Sequence, residues 1–193
     1  MGIEFIIPTY SRTEHLFTIV CSLLAQNNPN WKAHIVGDCV TNETLEKIHS
    51  FLNVINDDRI KFTNLPYRYN DWGHTPRNYG LKESTLEWTV MTGEDNYYVP
   101  TFVDNMLKMG EGKDFVFCSM VHNWVDDNYI PIYTKVEYGQ IDIGCYMFKT
   151  DMGKTIELDT TFAQSDFKFI IEFSSKYPLA KFGQVEKILY VHN

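Results

Sequence analysis

Apolar and polar positions along the first half of the chain alternate between two periods. Short, nearly continuous apolar runs at residues 4–8, 32–37, 60–65 and 88–92 are bounded by Pro, Asn, Asp, Thr or Gly, which suits buried strands. Between them the period becomes helical. Leu16, Ile19, Val20, Leu23 and Leu24 recur at i, i+3, i+4, i+7 and i+8, with Thr13 as a cap. Leu45, Ile48 and Leu52 share one face of a second helix that Thr41 or Asn42 begins. Thr75 and Pro76 read as the cap and first residue of a third helix through Arg77, Asn78 and Leu81. Pro100 opens a fourth with Phe102, Val103, Met106 and Leu107, and Gly110 and Gly112 stop it.

The second half has a different rhythm. Strands are expected at residues 114–122, 144–149 and 187–192, with Asp126, Asp127 and Asn128 marking a turn between aromatic segments. Ser165 caps a last helix carrying Phe169, Ile170 and Phe173. Strands alternating with helices predict an α/β fold: a mostly parallel central sheet, helices on both faces, and a smaller α+β half that closes over the sheet edge. No internal repeat, low-complexity tract or linker interrupts the chain, so one domain is expected over residues 1–193.

Composition narrows the function classes. With 193 residues the chain is long enough to bury a substantial core. A net charge of -8 and a pI near 5.2 argue against nucleic acid as a partner, which would call for a basic stripe. Cys21, Cys39, Cys118 and Cys145 are widely spaced, with neither a zinc-site nor a disulfide pattern, as expected of reduced, mostly buried thiols. The N-terminus enters a strand within a few residues, and no apolar run approaches the ~18 residues needed to span a membrane. A cytosolic location without a transmembrane segment is the expectation.

The stretch TVMTGEDNYYVP, residues 89–100, carries the candidate chemistry. A buried strand ending abruptly in Glu94, Asp95 and Asn96 presents carboxylates at a sheet edge, where open α/β sheets bind their ligands. Asp95, with Glu94 beside it, reads as a metal and diphosphate site whose carboxylate oxygens suit Mg2+ or Mn2+. Asn96 would fix the loop.

Taken in order, FIIPTYSR, HIVGDCVTNETLEKI, TPRNYGL and MTGEDNYYVP resemble the inverting glycosyltransferases of family 2, which have the GT-A fold. That resemblance is close over residues 1–110, implying a nucleotide-sugar-binding half, and looser over residues 111–193, implying an acceptor-binding half. It departs from the family where paired aspartates become Gly37 and Asp38, where the following Gly-Ser becomes Cys39 and Val40, and where the acidic motif reads Gly93, Glu94, Asp95.

Residue by residue, the resemblance implies that Pro8, Thr9 and Tyr10 line base and ribose. It also implies that Asp38 accepts a hydrogen bond from a uracil ring and that Arg77 lies near the diphosphate, with Arg12 and Arg68 as further phosphate candidates. It makes Asp166, in TFAQSDFKFIIEF, the catalytic base at a helix N-terminus, where an aspartate stays ionised. Asp142 and Gly144 fall in the donor-sugar and acceptor region, Trp72 and Trp124 offer stacking faces, and His192 stands where some relatives supply a late metal ligand.

The activity implied is hexosyltransferase-like. A sugar moves from a nucleoside-diphosphate sugar, such as a UDP-sugar, to a hydroxyl of a glycan, lipid-linked or protein-linked acceptor in polysaccharide biosynthesis, with Mn2+ or Mg2+. Two other enzyme classes lack their marks. A sugar nucleotidyltransferase would carry a glycine-rich basic loop after the first strand, and a dinucleotide-binding dehydrogenase would carry GxGxxG there; this chain has PTYSR. A catalytically degenerate domain that binds nucleotide sugar or glycan is the alternative that the reduced acidic motif leaves open.

Overall fold

The structure is a computed structural model that describes residues 1–123, 128–163 and 165–193, and all side chains among these except that of Asp166. Trp124, and Asp126 and Asp127 of the expected turn, lie outside the described residues. In chain order the elements are β1 (Ile3–Thr9), α1 (Thr13–Leu24), β2 (Trp31–Gly37), α2 (Asn42–Ile55), β3 (Ile60–Asn64), α3 (His74–Glu83) and β4 (Trp88–Met91). There follow β5 (Tyr97–Tyr98), α4 (Phe102–Met109), β6 (Phe115–His122), β7 (Ile130–Ile132), a 3-10 turn (Ile143–Cys145), β8 (Tyr146–Lys149), α5 (Thr150–Gly153), α6 (Ser165–Lys176) and β9 (Phe182–His192).

All strands join one mixed sheet in the order β3-β2-β1-β4-β8-β6-β9-β5, with β7 on β6. The first half supplies the parallel part: β1 pairs with both β2 and β4, and β2 with β3. The second half extends the same sheet, through antiparallel β8 on β4 and β6 on β8, then β9 parallel to β6. Because β1 has β2 on one side and β4 on the other, the strand order reverses at β1. That is a topological switch point, where the connections leave in opposite directions and open a crevice beyond the strand ends.

The near-continuous apolar runs are explained by burial. Ile3, Phe5, Ile6 and Ile7 of β1 and Trp88, Val90 and Met91 of β4 are wholly buried, as strands covered on both faces must be. The second half has an aromatic core instead, in which Phe148 lies 4.8 Å from Phe169 and Phe115 lies 5.3 Å from Phe173, centroid to centroid. Cys118 and Cys145 are buried there, and burial pushes both thiols up.

Four local expectations are corrected. Arg12, not Thr13, stands at the N-cap position of α1, without a capping side-chain bond, and Thr13 is the first helical residue. Helix α3 begins at His74 behind Gly73, so Pro76 stands third; its missing N–H falls among the donors that have no helical partner anyway. The capping oxygen is Asp71 Oδ2, which accepts from Thr75 N at 2.9 Å and Thr75 Oγ1 at 2.6 Å. Gly144 and Cys145, expected to begin a strand, belong to the 3-10 turn because Asp142 Oδ1 accepts the Gly144 amide at 2.8 Å, and the strand starts at Tyr146. Finally, β9 begins at Phe182, five residues before the expected start; a bulge against Cys118 and Ser119 drops Glu186 and Lys187 from the pairing register and breaks the alternation that would reveal it.

Candidate active site

Three adjacent parallel strands deliver the site. Thr9 pairs with Gly37 and Ile6 with Met91 in register, so the loops that follow β1, β2 and β4 emerge side by side at the switch point. They surround a cavity of about 500 Å³ lined by three arginines, Arg12, Arg68 and Arg77, and four carboxylates, Asp38, Glu94, Asp95 and Asp142. Three guanidiniums against four carboxylates make the lining mixed in sign, so an anionic ligand would meet individual arginines rather than a positive field.

The acidic loop is held from the N-terminal side. Arg12 Nε donates to Glu94 Oε1 at 2.9 Å and Arg12 Nη1 to Asp95 Oδ2 at 2.7 Å. Burial works against the Arg12 charge, but Asp95 and then Glu94 outweigh it and keep the guanidinium firmly protonated. Glu94 is pushed up, first by burial and also by the Asp95 charge, against the pull of Thr9 and Arg12. Its Oε2 and the Thr9 hydroxyl are both buried, and the Thr9 pull on Glu94 is that of a hydroxyl on a carboxylate. Asn96 Nδ2 donates to Thr92 Oγ1 at 3.2 Å and its Oδ1 accepts from Asn193 N at 3.4 Å, tying the loop to the end of β9.

Asp38 and Arg77 shape the opposite wall. Asp38 Oδ1 accepts the Tyr69 amide at 2.8 Å and Oδ2 the Asn70 amide at 3.0 Å, which positions the segment between β3 and α3. Beside it, the Arg68 guanidinium stacks 3.1 Å above the Tyr10 ring. Arg77 is buried, with Nε donating to Thr92 O at 3.0 Å and Nη1 to Trp72 O at 2.8 Å. It thereby joins the end of β4 to the loop before α3, and lines the cavity as it does so. Trp72 is 60% exposed at the rim and has a φ of +58°, a strained value for a bulky residue.

The far wall comes from the second half. Asp142 is buried and accepts from Tyr190 Oη at 2.7 Å, while His192 Nε2 lies 3.4 Å from Asp142 Oδ2. The register of β6 with β9 pairs His122 with His192; burial and then the neighbouring His192 push His122 down. Asp166 is the second residue of α6, and its side chain lies outside the described ones. The segment preceding α6 is linked to α3, since Phe162 O and His74 Nε2 are 3.2 Å apart.

Pro8, Thr9, Tyr10, Arg12, Asp38, Arg77, Glu94, Asp95 and Asp142, expected together from the sequence, all line this one cavity. Asn70 and Ile143 also line it without having been singled out. Neither lies in a motif: Asn70 is brought in by the Asp38 bonds and a φ of +53°, and Ile143 by the turn that Asp142 caps. His192, a weak suggestion from sequence, joins them through the pairing of β9.

The glycosyl transferase family 2 profile matches residues 4–175, which spans both the parallel half and the aromatic half. The chain belongs to glycosyltransferase family 2. A curated relative of this family 2 domain, an uncharacterized glycosyltransferase of Rickettsia bellii, is 24% identical over 125 residues, 65% of this chain and 17% of that protein.

Among solved structures, TarS of S. aureus (residues 1–349) superposes with a TM-score of 0.81 at 19% identity, covering 100% of this chain and 60% of that one. TarS was solved with UDP and with UDP-GlcNAc. The mannosyltransferase PcManGT of Pyrobaculum calidifontis, in complex with GDP-Man and Mn2+, superposes at 0.72 with 12% identity, covering 98% of this chain and 56% of that one. The fold shared with these proteins is GT-A, and the family 2 domain spans less than two thirds of each of them.

The acidic loop fits a divalent cation in its chemistry. Two neighbouring carboxylates offer hard oxygen donors, and one of those oxygens, Glu94 Oε2, is buried with no hydrogen bond of good geometry. Among the described residues, no three His, Cys, Asp or Glu side chains gather to hold an ion by themselves, so phosphate oxygens and water would complete the shell. No helix among the described residues is long and apolar enough to cross a membrane.

Proposed function

We propose that this domain transfers a sugar from a nucleoside-diphosphate sugar, a UDP-sugar in the first instance, to an acceptor hydroxyl with inversion at the anomeric carbon. The observation that carries the reading is the cavity at the switch point, where Asp38, Arg12, Glu94 and Asp95 converge from the ends of three parallel strands. The base would lie against Tyr10 and Asp38, and the diphosphate would face Arg12. A divalent cation held by Asp95, Glu94 and the diphosphate oxygens would neutralise charge on the leaving group.

In the reaction, the Asp166 carboxylate takes the proton of the acceptor hydroxyl, and the acceptor oxygen forms its bond to the anomeric carbon. The bond from that carbon to the diphosphate oxygen breaks on the opposite face, and the electron pair leaves with the nucleoside diphosphate. Tyr10 and Arg12 orient the donor, and Asp142 and His192 border the space left for its sugar. The acceptor is a carbohydrate-containing molecule, glycan, lipid-linked or protein-linked, met by residues 111–193 of the same single domain.

Incubation with UDP-sugars and Mn2+ tests this through UDP release. Slow hydrolysis is expected in the absence of acceptor, falling by about 10²-fold or more in Asp166→Asn and in Asp95→Ala, as for loss of a general base or of charge stabilisation. Tight UDP binding without turnover for any donor and acceptor would instead favour a domain that binds nucleotide sugar without transfer. That second reading draws on the guanidinium that already covers the acidic pair.

A further inference from the structure

Arg12 spans both carboxylates of the acidic loop with one guanidinium fork, Nε on Glu94 Oε1 and Nη1 on Asp95 Oδ2, at 2.9 and 2.7 Å. Of the remaining oxygens, Glu94 Oε2 is buried and Asp95 Oδ1 lies beside Gly93. A cation arriving from the cavity therefore meets carboxylates whose other oxygens already carry a positive group. The Arg12 side chain is 53% exposed and those of Glu94 and Asp95 are 6% and 23% exposed, so the carboxylates are fixed while the arginine head can leave on its long stem. Arg12 also stands at the N-cap of α1, where a positive charge is disfavoured by the helix dipole unless carboxylates or phosphates offset it.

We propose that Arg12 is the resident counter-ion of the acidic loop in the ligand-free domain, and that guanidinium and divalent cation exclude each other there. The cation then enters as Arg12 swings onto the incoming diphosphate. This rests on the nucleotide-sugar reading of the site. Its consequence is coupling: metal alone binds weakly, metal and nucleoside diphosphate bind together, and by linkage each raises the affinity of the other by the same factor. Removing the guanidinium exposes the carboxylates to metal alone and shrinks that factor.

The test is Mn2+ binding to the 193-residue chain, followed by the electron paramagnetic resonance of free Mn2+, with and without UDP. Without nucleotide, Arg12→Gln is expected to bind Mn2+ about tenfold tighter than the unaltered chain, the size of one charge-assisted contact. Arg12→Lys is expected to fall between them, because one ammonium cannot span both carboxylates. Equal or weaker Mn2+ binding by Arg12→Gln, with an unfolding transition like that of the unaltered chain, would overturn the proposal.

A second measurement needs no substitution: the Arg12 Nε–H resonance should shift when Mg2+ and UDP are added together. A resonance that stays in place while UDP binds overturns the exchange as well. Failure of UDP to bind with either metal sinks the nucleotide-sugar reading instead, and the Mn2+-only comparison still decides what Arg12 does.

Discussion

Asp38 accepts two backbone amides, from Tyr69 and Asn70, in addition to any bond it makes to a base. Asp38→Ala leaves those amides without their acceptor, and a loss of roughly 1–3 kcal/mol in urea unfolding is expected from such groups. UDP affinity should fall along with it. If stability drops and UDP binding is unchanged, Asp38 serves the loop alone. The position of Asp38 at a strand end was legible because an apolar run closed by Gly and Asp marks where a buried strand stops. That its oxygens face residues 69 and 70 was not legible, since the intervening loop takes positive φ at Asn70, Trp72 and Gly73, values no periodicity encodes. Glu4 makes a related point: buried on β1, its Oε2 accepts the Thr85 and Leu86 amides at 2.7 and 3.1 Å, a partnership spanning most of the parallel half.

Among the elements, the start of α3 does most to set the cavity wall. Gly73 caps it with a φ of +81°, and a Cβ there would lie 2.9 Å from Pro8 Cβ at the end of β1. Gly73→Ala is expected to cost about 1–3 kcal/mol through strain at that φ and pressure on β1, read as a lowered unfolding midpoint together with weaker UDP binding. An unaltered midpoint would mean that the loop relaxes freely. The 3-10 turn beside β8 depends on a similar close approach. A Cβ on Gly144 would overlap the Tyr190 phenol, which donates to Asp142. Helix α3 was expected two residues too late because Thr75–Pro76 imitates a helix start; the capping side chain is that of Asp71, two residues before the N-cap Gly73, and its role depends on the loop turning back before His74.

For the whole molecule, one buried histidine gives a measurable pH dependence. Burial, aided by Lys61, holds His34 at about 4 against an ordinary value of 6.5. Above pH 6.5 His34 is neutral in both folded and unfolded chains and adds nothing. Between pH 6.5 and 4 only the unfolded chain takes up the proton, so stability falls by at most about 3 kcal/mol. His34→Gln should flatten that part of the profile in urea unfolding at pH 7.5 and pH 5; equal slopes for both proteins would count against it. Ligand linkage gives a second global readout. UDP with Mn2+ at a hundred times its dissociation constant is expected to add about 2.7 kcal/mol to unfolding, and a thermal shift with UDP exceeding that with GDP would support the assigned base pocket.

The alternation of short continuous apolar runs with period-3.6 segments specified the four parallel strands, their helices and the places where the site loops leave the sheet, because burial on both faces of β1, β2 and β4 demands continuous apolar runs. The four ordered motifs carried the family resemblance. Which side chains meet depended on long-range pairing. The antiparallel insertion of β8 between β4 and β6, and the bulged pairing of β6 with β9, bring Asp142 and His192 to a cavity begun by Thr9. The clasp of Arg12 on Glu94 and Asp95 joins residues more than eighty positions apart. Such contacts arise from the order of strands in the sheet and the backbone values of a few loop residues, which local hydrophobic patterning does not constrain.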